Sequence, residues 1–90
     1  VKYSIIVIHC RDNVGVALED IHPGDKAEAK GLEAFPVSGE IPSNHKVALV
    51  DIGVGEEIIK YGEVIAISSR AIKKGEWVHT HNVESERCWK

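Results

Sequence analysis

Hydrophobic positions in this chain fall in short clusters, with little of the three-to-four-residue spacing that marks an amphipathic helix. What recurs is a short phrase: an acidic or small residue, then Ile, two variable residues, and Gly or Asn. It reads DIHPG at 20–24, EIPSN at 40–44, DIGVG at 51–55 and AIKKG at 71–75. After each phrase come a polar residue and a run with strand character, KAEA, KVALV, EIIKY and WVHTH in turn. The physical reading is a tight turn whose last residue takes positive φ, a conformation that suits Gly and is tolerable for Asn. The Ile of each phrase would drop into the core as an anchor. Asp20 and Asp51 hold equivalent places in the repeat and are read as turn residues.

The remaining runs agree with an all-strand reading. YSIIVIH at 3–9 is rich in β-branched residues and predicts a central strand buried on both faces. NVGVAL at 13–18 alternates after an Asp12–Asn13 turn, and EVIAIS at 63–68 follows Gly62, a hairpin corner. The stretch 26–39 supports at most one short helical turn, because Gly31, Pro36 and Gly39 break it. Turn signals this close together predict a mostly β domain of short strands, a single domain over 1–90 with no linker.

Composition narrows the function classes. With 43% hydrophobic and 28% charged residues, the chain is an ordinary soluble globular one. Its net charge is −3, its basic residues are scattered and its aromatics few, which argues against a nucleic-acid surface. The longest apolar run, IIVI at 5–8, is far too short to span a membrane. The N-terminus lacks the pattern of a secretory signal, so a cytoplasmic chain with free thiols at Cys10 and Cys88 is expected. A disulfide between these two remains geometrically open, since domain termini often lie close together. The absence of any CxxC pair disfavours a structural zinc cluster, and the absence of Met marks a processed chain or an excised fragment.

Candidate chemistry concentrates after the repeated turns. In a strand, His79 and His81 of WVHTH would share a face with Cα atoms about 6.6 Å apart, near enough to converge on one metal ion or anion. His45 and Lys46 of NHKVAL follow another turn. If the sheet folds back on itself, His45, His79 and His81 could meet, and three imidazoles around one open position are a recurring catalytic metal arrangement. Separate surface histidines are the bland alternative. Lys46 and Lys60 are candidates for a substrate carboxylate or sulfonate. Asp12 and Asn13 are explained by a turn, His9 as a satisfied structural histidine, and Trp77 and Trp89 as packing area. No catalytic triad, Walker loop, GxGxxG or HExxH motif is present.

Three segments, RDNVGVAL at 11–18, IPSNHKVALVDIGVGEEIIKYG at 41–62 and IKKGEWVHTHN at 72–82, occur in the order found in the SAF domain of altronate and galactarate dehydratases, which this chain resembles over nearly its whole length. The ending HNVESERCW resembles the short stand-alone subunits of that family, and small subunits of sulfolactate sulfo-lyase look similar. The resemblance implies a β-clip fold and a lyase whose large catalytic subunit is a separate polypeptide. It implies loss of water or sulfite from a hydroxy acid and a divalent metal, iron with manganese as a substitute. His45, Lys46, His79, His81 and Asn82 match the family's motif positions. Under this resemblance His79 and His81, with His45, hold or orient the metal or substrate. Lys46 pairs with the carboxylate, helped by Lys60 and Asn82. His45 is a further candidate as proton donor, and the general base lies on the large subunit. The chain departs from the family at Asn44 and Ala66, where Gly is usual, and at Cys88. A non-catalytic module binding a carbohydrate or anion through the same groups is the rival expectation.

Overall fold

The computed structural model describes residues 3–84, and these form strands, turns and bridges without a helix. The strands are β1 (Ile5–Ile6), β2 (Val14–Ala17), β3 (Lys26–Ala27), β4 (Phe35–Pro36), β5 (Lys46–Ala48), β6 (Glu57–Lys60), β7 (Glu63–Ser68), β8 (Trp77–Val78) and β9 (Val83–Glu84). A central sheet runs in the order β1-β2-β5-β8, with β3-β4 as a separate pair and β6-β7-β9 as a third sheet. All the pairings are antiparallel.

The repeated phrases are the frame. Gly24, Asn44, Gly55 and Gly75 all have positive φ, as the pattern required. Ile21, Ile41, Ile52 and Ile72 are all buried, at most 2% exposed. They pair in two antiparallel bridges, Ile21 with Ile41 and Ile52 with Ile72. The Asp residues tie each bridge shut: Ser43 N–H donates to Asp20 Oδ1 at 2.8 Å, and Lys74 N–H donates to Asp51 Oδ1 at 2.9 Å. One constant offset along the chain carries Ala17, Asp20, Ile21, Gly24, Ile41 and Asn44 onto Ala48, Asp51, Ile52, Gly55, Ile72 and Gly75. The hydrogen bonds follow it. Asn44 N–H donates to Ala17 O at 2.8 Å, and Gly75 N–H donates to Ala48 O at 2.9 Å. The domain is thus two copies of one supersecondary unit.

Each copy covers one face of the central sheet. Ile21 and Ile41 join Ile5, Ala17, Phe35 and Val47 in a first core. Ile52 and Ile72 join Val14, Ala48, Ile58 and Val78 in a second. Adjacent residues, Val47 and Ala48, serve opposite cores because strand side chains alternate. At the β6–β7 corner Tyr61 (φ 58°) and Gly62 (φ 76°) both adopt the left-handed conformation, the two-residue hairpin geometry expected after KYG.

Three expectations are corrected. The first run is no central strand: β1 spans two residues at an edge of its sheet, and Ile6 and Ile8 are exposed. Ile8, with Val7, lines a groove shared with Leu32 and Val50. A continuous apolar run does not reveal whether its second face is covered. The segment 26–39 holds no helical turn among the described residues; Leu32 N–H donates to Ala29 O at 3.2 Å in a single turn, and the chain then enters β4. Strand character at 26–29 and 77–81 is confined to the first two residues of each.

Asp12 and Asn13 join distant segments. Asn13 Oδ1 accepts from Ile59 N–H at 2.7 Å while its Nδ2 donates to Glu57 O at 2.8 Å, standing in for a strand partner. Asp12 Oδ1 accepts from Gly62 N–H at 2.8 Å and Oδ2 from His9 N–H at 3.1 Å. Burial pushes the Asp12 carboxyl up, but the N–H donors of Gly62, Tyr61 and His9 outweigh it and hold it below the ordinary carboxylate value. His9 is exposed, but its Nδ1 accepts from Arg11 N–H at 3.1 Å, and its ring lies against Gly62.

Two stability measurements follow. A depressed folded-state pKa means that Asp12 stabilises the fold fully above its unfolded value of about 3.9 and that this contribution is lost as pH falls through the folded value. Asp12→Asn should therefore flatten the acid limb of a stability–pH curve from urea unfolding. Gly75 and Gly24 differ in surroundings: a Cβ at 75 would overlap the Pro36 carbonyl, whereas one at 24 meets open space. Gly24→Ala should cost about 1 kcal/mol of backbone strain, and Gly75→Ala about 3 kcal/mol or more, with the added overlap.

Candidate functional site

Strand β5 begins where β8 ends, because the two are antiparallel and Lys46 stands opposite Val78. Lys46 also faces Val16 of β2 on its other side. The left-handed turn at Asn44 delivers His45 to this end of the sheet; His45 O accepts from Ala17 N–H at 2.9 Å. On β8 the ladder stops at Val78. Asn82 accounts for that stop. Its Oδ1 accepts from His79 N–H at 3.0 Å, its Nδ2 donates to Trp77 O at 2.9 Å, and its own N–H donates to His79 O at 3.0 Å. The side chain takes a backbone N–H that a longer strand would have used. His79 and His81 therefore sit in a tight turn and not alternately on a strand.

The turn still gathers the rings. His79 stacks on the Trp77 indole at 5.1 Å between centroids and 7° between planes. His81 lies 5.4 Å from the same indole. His45 meets Trp77 edge-on at 5.5 Å and His79 at 4.9 Å. The Trp77 Nε1–H donates to His45 Nδ1 at 3.3 Å.

Among the described residues, no three His, Cys, Asp or Glu side chains are placed to hold a metal ion. The indole is in contact with all three imidazoles, and it occupies one of the two ligand nitrogens of His45. The three-histidine ligand set expected at His45, His79 and His81 is thus not assembled by these residues.

Members of the cluster oppose one another's protonation. Burial lowers the affinity of Lys46 for its proton, and the charge of Lys60 adds to that effect. Burial also depresses His79, followed by the charges of His45, Lys46 and His81. No carboxylate is among these influences. Among the described residues the ion pair formed is His22 with Glu40 at 2.9 Å, outside this cluster. The Lys60 ammonium lies 4.9 Å from the centroid of the Tyr61 ring.

Sequence comparison bears on what such a cluster serves. The profile of the altronate/galactarate dehydratase SAF domain matches residues 3–86. The chain belongs to that SAF domain family. It is 40% identical over 82 residues to an altronate dehydratase of Bacillus subtilis, a match covering 91% of this chain and 16% of that protein. It is 42% identical over 73 residues to a galactarate dehydratase (L-threo-forming) of Escherichia coli, covering 81% of this chain and 14% of that protein. A third relative, a (2R)-sulfolactate sulfo-lyase subunit alpha of Chromohalobacter salexigens, is 42% identical over 53 residues, covering 59% of this chain and 56% of that protein. The chain thus spans about a sixth of the length of the dehydratases it matches.

Within this SAF domain, His45, Lys46, His79 and His81 form one cluster, with Lys60 close enough for its charge to act on Lys46. Asn82, expected to touch substrate, is fully buried and its amide shapes the turn. Trp77, expected to supply packing area, packs against the first core and also touches every histidine of the cluster. No local signal marks it, because its polar partner, His45, lies far away in the chain, just before β5. Cys10 is exposed, whereas Cys88, Trp89 and the rest of the tail motif beyond residue 84 lie outside the described residues. No helix among the described residues is long and apolar enough to cross a membrane.

Asn82→Ala would orphan the Trp77 carbonyl and the His79 N–H together. It should destabilise the protein by about 2–3 kcal/mol in urea unfolding. The exposed Thr80→Ala should change stability by about 0.5 kcal/mol or less.

Proposed function

We propose that this SAF domain is the accessory part of a metal-dependent hydroxy-acid lyase of the altronate/galactarate dehydratase type. It works as a small subunit beside a separate large catalytic subunit in the cytoplasm and is inactive alone. Its sheet-end cluster binds the carboxylate of a sugar-acid substrate. The observation that carries this reading is the gathering of three imidazoles beside a half-buried lysine, where, among the described residues, no carboxylate is among the groups that act on Lys46 and His79. An anion of the substrate's kind would relieve that mutual repulsion.

In this reading the Lys46 ammonium pairs with the carboxylate, and Lys60 raises the positive potential around it. His79 and His81 orient the acid by N–H donation. Proton removal α to the carboxylate pushes negative charge onto the carboxylate oxygens as the β-hydroxyl departs. Donors already in place there stabilise that charge more than the ground state. The general base belongs to the large subunit. The divalent ion, iron or manganese, is assigned to that subunit as well, since the described residues here assemble no ligand set for it.

The test is the double substitution His79→Ala/His81→Ala in the complete enzyme. Turnover of altronate or galactarate (kcat/KM) should fall by about 10²-fold or more, with the unfolding midpoint little changed. Retained turnover would remove the cluster from the active site.

A second reading rests on the sulfo-lyase match, which covers more than half of a relative that is itself a subunit. The same cationic cluster would then hold a sulfonate. Turnover of sulfolactate in place of the sugar acids selects that reading. Sugar-acid affinity without turnover, with the large subunit present, selects a non-catalytic binding module.

A further inference from the structure

We infer that Trp77 is a positioning residue that holds His45 in the tautomer carrying its proton on Nε2, making His45 a hydrogen-bond donor to an oxyanion and not a metal ligand. The inference rests on the anion-binding reading above and specifies how one member of that cluster acts.

The argument is one of donor and acceptor inventory. An indole N–H only donates, so the His45 Nδ1 that receives it at 3.3 Å must carry a lone pair. A neutral imidazole has one protonated nitrogen, which places its proton on Nε2. A ligand histidine shows the opposite arrangement: it binds the metal through one bare nitrogen and donates its other N–H to an acceptor. At His45 the group against Nδ1 is a donor. Among the described residues Nε2 has no hydrogen-bond partner, so its N–H is left for a ligand. The ring is held from two sides, edge-on to the indole and at 4.9 Å from His79. Lys46, the next residue, is the cationic partner for the same acid.

Two measurements on the intact protein test this. In long-range proton–nitrogen spectra of histidine-labelled protein, His45 should show a bare Nδ1 and a protonated Nε2. Trp77→Phe should shift it towards a mixture of tautomers. A protonated Nδ1 in the native protein, or a spectrum unchanged by Trp77→Phe, overturns the inference. The second measurement uses galactarate as the probe ligand. Trp77 also packs against the first core, so loss of affinity alone would not separate positioning from packing. The comparison is therefore made in a His45→Gln background, where a side-chain amide donates without depending on a tautomer. Trp77→Phe should weaken galactarate binding about 5–10-fold in the native background, the worth of one hydrogen bond, and change it little in the Gln background. Equal loss in both backgrounds overturns the positioning role while leaving the anion site standing. If His45→Ala and Lys46→Ala leave galactarate affinity untouched, the anion-site reading fails, whatever tautomer the spectra show.

Discussion

Everything in this domain hangs on four isoleucines closed into two bridges. A small chain has few side chains to bury, and each fully buried Ile contributes about 1.5–3 kcal/mol. Ile21, Ile41, Ile52 and Ile72 are at most 2% exposed, and each is seated by a turn that reverses within the next three residues. The left-handed residue at the end of each phrase lets the chain leave the anchor and enter a strand at once. Asp20 and Asp51 then tie each bridge to the opposite turn. Short strands are the consequence: with reversals so frequent, few ladders extend beyond four residues, and the separate pieces are held by side-chain burial on both faces of one sheet.

That sheet is also what makes a site. Its two cores require residues of opposite parity on β5 and β8, so the ends of these strands come together with their polar neighbours unburied by either core. His45 and Lys46 enter from one turn, and Trp77 and His79 leave through another. Burial and the Lys60 charge weaken the hold of Lys46 on its proton there, and burial with the charges of His45, Lys46 and His81 weakens that of His79. Among the described residues, no carboxylate is among the groups that act on Lys46 and His79.

Asn82 and Trp77 show how support and chemistry are divided. Asn82 is fully buried and spends its amide on the turn that aims the histidines. Trp77 lies among the rings and touches each of them. One shapes the backbone and the other packs among the imidazoles. The sequence suggests Asn82 as a substrate contact and Trp77 as packing area; Trp77 does pack against the first core, and it touches the imidazoles as well. An amide adjacent to two histidines reads as functional, and only its burial reveals that it is structural.

The sequence by itself determined the positions of the turns, the four anchors, the KYG hairpin corner and the structural use of Asp20 and Asp51. The turns depend on local chemistry, because a positive φ calls for Gly or Asn; the two Asp residues are marked by the repeat, although the N–H that each one caps belongs to Ser43 or Lys74, far along the chain. It also singled out His45, Lys46, His79 and His81 as residues worth attention. Tertiary structure decided what no local rule contains. It set β1 at an edge with Ile6 and Ile8 uncovered, and it stopped β8 at Val78. It laid an indole against the three imidazoles that spacing alone would have gathered around a metal. The reason is the same in each case. Which face is covered, and which nitrogen finds a donor, are properties of groups far apart in the chain, and become definite only when the two halves close on their shared sheet.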